Sequence, residues 1–396
     1  MHFDTIALHS GESPPEAGQP VSPSIVTATS FYTTPNSAFS ANDLAVAPDA
    51  FYTRWANPTV AILEQRLASL EGGAGSIAFA SGMAAAAALF LTRLKSGDHL
   101  ILSDICYAGI AEFAAEILPK FGILVSAVDT SQSNEVESAI RPGITKLIHV
   151  ETPANPVLKL SDIEAMAVIA HQCGAELSVD STIATPVATR PLMHGADYVL
   201  HSLTKYICGH GDALGGALIA RHAERLVGLR KDALIHHGGA ISPFAAWLIL
   251  RGLETLSLRM RVHEENACKV AHFLNQHPAV GVVHWPGLKS HPQASLARRQ
   301  MRNYSGLLSF TTKEESKSVA RRLAERLAIF SYAVSLGKTK SLLYHIPTED
   351  ILRTSFRLGA AATEAYRSLA GDGVFRASVG LENSDDLIQD LAQALG

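Results

Sequence analysis

The chain has 396 residues, 47% hydrophobic and 18% charged, with a formal net charge of -4. That is ample apolar mass for two or three packed domains and the wrong balance for a disordered tail. No Lys/Arg block stands out, which argues against nucleic-acid and membrane-surface binding, and the apolar stretch "SGMAAAAALFLTRL" breaks at Arg93, too short to span a bilayer. The opening "MHFDTIALHSGE" shows no basic-then-apolar secretory pattern, and the scattered Cys106, Cys173, Cys208 and Cys268 form no CxxC pair. Reduced thiols in a cytoplasmic enzyme are the expectation, with no metal site and no disulfide framework.

Residues 1–57 are rich in Pro, Ser, Thr and Ala and read as an extended arm, too polar and broken to bury a core of its own. "NPTVAILEQRLASLEGG" then predicts a helix with Thr59 as N-cap, Leu63, Leu67 and Leu70 on one face, and a stop at Gly72. Strand-like runs follow: "GSIAFA", "HLILS", "ILVSAV", "KLIHVE", "AELSVD", "DYVLHS" and "GGALIA". Between them lie the helical stretches "SGMAAAAALFLTRL", "GIAEFAAEILPKF" and "LSDIEAMAVIAHQC". Apolar strands alternating with helices predict a mostly parallel central sheet in a large α/β domain over 58–250, with ligands beyond the carboxyl ends of the strands. Residues 251–396 read as a smaller C-terminal α+β domain. It is entered through one long helical stretch, "PFAAWLILRGLETLSLRMRVHEENACKVAHFLNQ". "VGVVHWPG", "GLLSFTT" and "SKSVARRLAERL" follow, and it closes with "SDDLIQDLAQAL" capped by Ser384.

Three strand ends carry chemistry. In "FASGMAA", Gly82 permits close backbone approach, and the free N–H groups of the first helical turn form an anion site. Taken alone, this is equally a plain small-residue turn. In "LSVDST", Asp180 closes an apolar strand, where a buried carboxylate needs a cationic partner or a helix to cap. In "HSLTKYICGHGD", Ser202 and Thr204 precede Lys205 at another strand end. That lysine reads as a solvated cation, a phosphate ligand or a covalent catalyst. One cofactor uses all three sites together: pyridoxal 5′-phosphate has a phosphate, a ring nitrogen that a carboxylate keeps protonated, and an aldehyde that a lysine captures.

The chain resembles the pyridoxal-phosphate enzymes of cysteine and methionine metabolism, the group of cystathionine γ-synthase, methionine γ-lyase and homoserine-ester sulfhydrylases. The matching stretches run in order through "YTRWANPT", "FASGMAA", "ETPANP", "VDSTIATP", "HSLTKYICGHGDALGG", "SPFAAWLILRGLETLSLRM", "VSLG" and "FRASVGLEN". The resemblance implies the aspartate-aminotransferase-like fold (fold type I). It implies that Lys205 forms the internal aldimine and shuttles protons, and that Asp180 holds the ring nitrogen. Gly82, Met83, Ser202 and Thr204 would bind the phosphate, joined by Tyr52 and Arg54 from a neighbouring subunit. Tyr107 would stack on the ring and act as acid or base, and Asn155 would touch the ring hydroxyl. Arg376, with Ser335, would clamp the substrate carboxylate. A homotetramer built from catalytic dimers is implied as well.

Departures from the family pattern bear on specificity. "YAGI" puts Gly109 where methionine γ-lyases carry a cysteine, Val334 stands where cystathionine enzymes carry Glu, and Ser181 replaces the usual Asn. "YHIPTEDILRTSF" brings Glu349 and Asp350 close in sequence to the pocket, where a guanidinium could meet them, and His236 and His237 read as surface histidines in preference to a substrate-gating pair. The expectation is a γ-lyase acting on methionine or another γ-substituted homoserine analogue such as canavanine. The alternative is a γ-replacement enzyme using an activated homoserine ester. A cofactor-free interaction protein is disfavoured by the presence of Lys205, Asp180 and Arg376.

Overall fold

All seven apolar segments enter one sheet. The computed structural model describes every residue except 13, 15, 36–39 and 44–49. Its strands are β1 (Gly75–Phe79), β2 (His99–Ser103), β3 (Leu124–Val128), β4 (Thr145–Glu151), β5 (Glu176–Asp180), β6 (Tyr198–His201) and β7 (Gly216–Ala220). They lie in the order β1-β7-β6-β5-β4-β2-β3. The pairs from β3 through β6 are parallel, while β7 runs antiparallel to both neighbours. Alternate side chains feed two different cores. Ala78, Ile101, Ile148, Val179 and Ile219 pack on one face, and Ile77, Leu100, Leu147, Leu200 and Leu218 on the other. Helices cover both faces, so these strands read as continuous apolar runs.

The helix Pro58–Glu71 buries Leu63, Leu67 and Leu70 and ends at Gly72, whose φ of 75° suits glycine. Its cap is Asn57, not Thr59: the Asn57 side chain accepts from the N–H of Thr59 and of Val60. Thr59 instead donates to Ser24 O at 2.9 Å and ties down the preceding segment. The stretch expected as one long helix is two, Pro243–Glu254 and Leu256–Gln276. The break has a side-chain cause. Arg259 donates to Gly252 O at 2.6 Å, and also to the carbonyls of Tyr206 and Ile207. The carbonyl that would continue the helix is thereby used to hold the turn after Lys205. Gly252 is required there, because a Cβ would lie 2.0 Å from Cys208 O.

The second sheet has the order β10-β11-β12-β9-β8, from β8 (Val280–His284), β9 (Leu307–Thr312), β10 (Ser331–Tyr332), β11 (Leu342–Pro347) and β12 (Gly373–Ser378). It is antiparallel apart from the β10–β11 pair. The last helix, Ser384–Leu395, is capped by Asn383 and not by Ser384, whose hydroxyl accepts from Lys269 Nζ at 2.9 Å. The arm also departs from expectation. Phe3–His9 is a helix with Ala7 buried, held by the fully buried Arg66, which donates to Ser10 O and pairs with Glu12. Beyond it Val21 and Tyr32 stand fully exposed.

Candidate active site

The carboxyl ends of β4, β5 and β6 open onto a cavity of about 460 Å³, closed on the far side by β11, β12 and residues 334–336. Lys205, Tyr107, Gly82, Met83, Asn155, Asp180, Ser202, Thr204, Ser335 and Arg376 all line it. Each arrives there for a local reason.

Ser81 caps the helix Gly82–Arg93, accepting from Ala84 N–H at 3.1 Å. The first intrahelical bond is Ala85 N–H to Ser81 O, so the N–H groups of Gly82 and Met83 precede the ladder and are available to an anion. A Cβ on Gly82 would come within 2.9 Å of Ser202 Cβ and 3.1 Å of its hydroxyl, so glycine is what brings helix start and β6 loop together. Thr204 Oγ1 both donates to Gly215 O and accepts from Gly215 N–H, fixing the glycine-rich loop over the cradle.

Asp180 ends β5, accepts from Thr182 N–H at 3.0 Å, and forms no salt bridge among the described residues. Burial pushes its carboxyl above the usual range, opposed by the bonds from Thr182 and by His201. A buried carboxylate on a cavity wall, with no salt-bridge partner among the described residues, is matched to a cationic ring nitrogen. Lys205 donates to Ser335 Oγ at 3.3 Å. Burial, then Arg376 and Lys338, lower its pKa, which favours the neutral, nucleophilic amine. Arg376 on β12 faces Tyr344 on β11, donates to Asn155 Oδ1 at 3.0 Å and to Ser335 O at 3.1 Å, and is lowered by burial. Ser335 holds φ at 93°, an uncommon conformation for a serine, with its carbonyl given to Arg376 and its hydroxyl to Lys205. Tyr107 precedes the helix Ala108–Glu116 and is half exposed.

Some expected residues lie elsewhere. Tyr52 and Arg54 do not line the cavity of their own chain; Arg54 lies over the Tyr52 ring at 5.5 Å and donates to Ile235 O. Glu349 and Asp350 sit on the exposed helix Thr348–Thr354, outside the cavity lining. There Glu349 binds Arg367 through two bonds of 2.9 and 3.1 Å, and Asp350 pairs with Arg353, so the expected pocket role is not met. His236 and His237 are exposed, and His236 pairs with Asp232 at 3.5 Å. The buried Ser181 hydroxyl has no hydrogen-bond partner among the described residues.

Sequence reading missed Glu151, Thr182, Tyr344 and Ile346, all of which line the cavity. Glu151 ends β4 and is the register partner of Asp180. The reasoning that singled out Asp180, an acid closing an apolar strand, applies equally to "LIHVE". Tyr344 and Ile346 share one face of β11 at a spacing of two, visible in "YHIP" only once that segment is known to be a strand.

An anion cradle, a cation-seeking carboxylate and a deprotonatable lysine at one sheet edge define a pyridoxal 5′-phosphate enzyme, and the residues present fit that group. The chain belongs to the family described as Cys/Met metabolism PLP-dependent enzyme, whose model matches residues 4–396. It is similar to the canavanine gamma-lyase of Pseudomonas canavaninivorans, at 40% identity over 395 residues, 99% of this chain and 95% of that protein. Against the cystathionine gamma-lyase of Bacillus subtilis (strain 168) it is 41% identical over 348 residues, 87% of this chain and 88% of that protein. Among solved structures, the crystal structure of metB from Corynebacterium glutamicum superposes with a TM-score of 0.88 at 37% identity, covering 100% of this chain and 98% of that one. The fold is therefore the aspartate-aminotransferase-like type I architecture, and the chain is an enzyme of the γ-elimination and γ-replacement group. Among the described residues no helix is long and apolar enough to cross a membrane.

Proposed function

We propose that the enzyme is a γ-lyase that releases an uncharged γ-substituent from an L-amino acid, methionine being the reference substrate. The observation that carries this reading is the charge inventory of the cavity. Its charged lining residues among those described are Glu151, Asp180, Lys205 and Arg376. Cofactor and α-carboxylate engage Asp180, Lys205 and Arg376, and Glu151 is bonded to main chain. The remaining wall includes Val334, Leu214, Ile110, Ile346 and Tyr344, with no further carboxylate among the described residues to meet a distal ammonium. Relatives named for canavanine and for cystathionine are nearly equally similar, at 40% and 41% identity, so similarity alone does not select the substrate.

The bound cofactor supplies an aldehyde for the substrate amine and an electron-poor ring that makes the Cα–H acidic. The protein's residues do the rest. Gly82 and Met83 N–H, Ser202 and Thr204 would hold the phosphate, and Asp180 would keep the ring nitrogen protonated. Arg376 grips the α-carboxylate with a planar fork. Lys205 would carry protons at Cα and Cβ, while Tyr107 would protonate the departing group. Tyr52 and Arg54 of a neighbouring copy complete the phosphate site, which makes the working unit a catalytic dimer within a homotetramer. In this reading residues 1–57 are the intersubunit arm, 58–250 the cofactor domain and 251–396 the smaller domain, and the enzyme is cytoplasmic.

Purified enzyme is incubated with methionine, canavanine and cystathionine singly, and with O-acetylhomoserine with and without a thiol, while keto acid and ammonia are measured. Keto acid from methionine alone is expected. Product formed only when the thiol is present would establish γ-replacement instead.

A further inference from the structure

We infer that Glu151 is a positioning residue for the substrate-carboxylate clamp, acting through the main chain of Asn155 and of Tyr107. Glu151 is the last residue of β4, 5% exposed, and forms part of the cavity wall. Its two oxygens do different work. Oε1 accepts from Asn155 N–H at 2.8 Å, and Oε2 accepts from Tyr107 N–H at 2.5 Å. Asn155 in turn presents Oδ1 to Arg376 at 3.0 Å, and Arg376 reaches Ser335 O at 3.1 Å. Ser335 closes the series through its hydroxyl, 3.3 Å from Lys205 Nζ. One carboxylate therefore fixes the main chain of the residue that orients the arginine fork and that of the residue that carries the phenol.

The placement is costly. Glu151 and Asp180 are register partners on adjacent parallel strands, so two carboxyl groups are buried side by side. Burial and the Asp180 charge push the Glu151 carboxyl up to about 8, against the two N–H donors and Arg376. A fold that needed only a closed strand end would do better with an apolar side chain there. A carboxylate bridging Tyr107 and Asn155 does what an apolar side chain cannot, since it holds two loop amides at a fixed separation.

The test rests on the reading of the cavity as a cofactor and amino-acid site and uses the holoenzyme. L-norleucine, whose γ-carbon carries no leaving group, and pentylamine, the same molecule without its carboxylate, are titrated against the visible absorbance of the bound cofactor. Glu151→Gln keeps the shape but loses one acceptor. Measured above pH 8, where the Glu151 carboxyl is ionised, it is expected to weaken L-norleucine about 10- to 100-fold, the range for a hydrogen bond to a charged group, with pentylamine unchanged. Equal weakening of both ligands, or of neither, overturns the inference. Where the Gln variant does not fold, Glu151→Asp, too short to reach both amides, is read in the same way; failure of both to fold assigns Glu151 a purely structural role and overturns it too. Absence of a visible band in the parent protein would instead refute the cofactor reading on which the inference rests.

Discussion

Lys205 and Ser335 meet across the gap between the two sheets, the lysine Nζ donating to the serine Oγ at 3.3 Å. Lys205 follows β6 of the seven-stranded sheet, and Ser335 precedes β11 of the five-stranded one, so this contact brings residues of both sheets to the amine. Burial with Arg376 and Lys338 nearby holds the amine toward its neutral form. Lys205→Ala is expected to abolish the long-wavelength absorbance of lysine-bound cofactor and to reduce turnover by about 10³-fold or more, the loss of both capture and proton transfer. Absorbance spectra and keto-acid release check both parts.

Gly109 lies against the Tyr107 ring. A Cβ at this position would lie 2.8 Å from Tyr107 Cε1 and 3.2 Å from Met83 Sδ. The tyrosine ring packs onto the space that glycine leaves. Gly109→Cys is therefore expected to push the ring aside and lower turnover of methionine about 10-fold or more, the scale of losing well-placed general-acid chemistry in part. A gain in methionine turnover would show that the ring adapts.

Val334 is 62% exposed at the cavity mouth. Val334→Glu would offer a carboxylate to a distal ammonium, as the cystathionine-handling pattern does. At that exposure the gain is that of a solvated ion pair, so cystathionine is expected to improve only about 2- to 5-fold in kcat/KM relative to methionine. The ratio of the two kcat/KM values, measured for parent and variant, decides it.

Much of this was legible in the sequence. Period and punctuation located all seven strands of the large sheet, because strands buried on both faces leave unbroken apolar runs between helices. The site residues that answer to a backbone motif, Gly82, Asp180 and Lys205, were legible for the same reason, since each stands at a strand end. Caps were misplaced by two residues at Thr59 and by one at Ser384, where two polar residues close in sequence compete and only geometry chooses. The break at Thr255 was invisible because its cause, Arg259 binding Gly252 O, is a tertiary contact inside a stretch with continuous helical pattern. Glu349 misled because closeness in sequence to "YHIP" says nothing of direction: the strand turns Tyr344 and Ile346 inward, and the exposed helix after it gives Glu349 to Arg367.

The Glu151–Asp180 pair predicts a pH-dependent stability in the cofactor-free protein. Both carboxyl groups have folded-state pKa values raised above their ordinary ones. A raised value stabilises the fold fully below the ordinary pKa, and that contribution is lost as pH rises through the folded one. For Glu151 the window runs from its ordinary 4.5 to about 8. Melting midpoints of the cofactor-depleted parent should fall across this range more steeply than those of Glu151→Gln, by several degrees. Cofactor, which sets a cationic nitrogen beside Asp180, should flatten the slope. Parallel slopes for parent and variant would mean that the pair carries no proton in that window.

Tyr52 and Arg54 pose the question of which chain they serve. Both lie outside the cavity of their own chain, and the arm that bears them displays fully exposed Val21 and Tyr32, surfaces that a second copy would cover. If they reach a neighbour's phosphate site, two inactive variants should repair each other. Arg54→Ala keeps Lys205 but lacks the arm guanidinium, and Lys205→Ala keeps the arm but lacks the amine. In a hybrid of the two, one site combines the intact Lys205 of the first chain with the intact Arg54 of the second, while the other site is doubly defective. Co-refolding an equimolar mixture is therefore expected to restore γ-lyase activity that neither variant shows alone. If each arm served its own chain, every site in the hybrid would lack one group, and the mixture would stay as inactive as its parts.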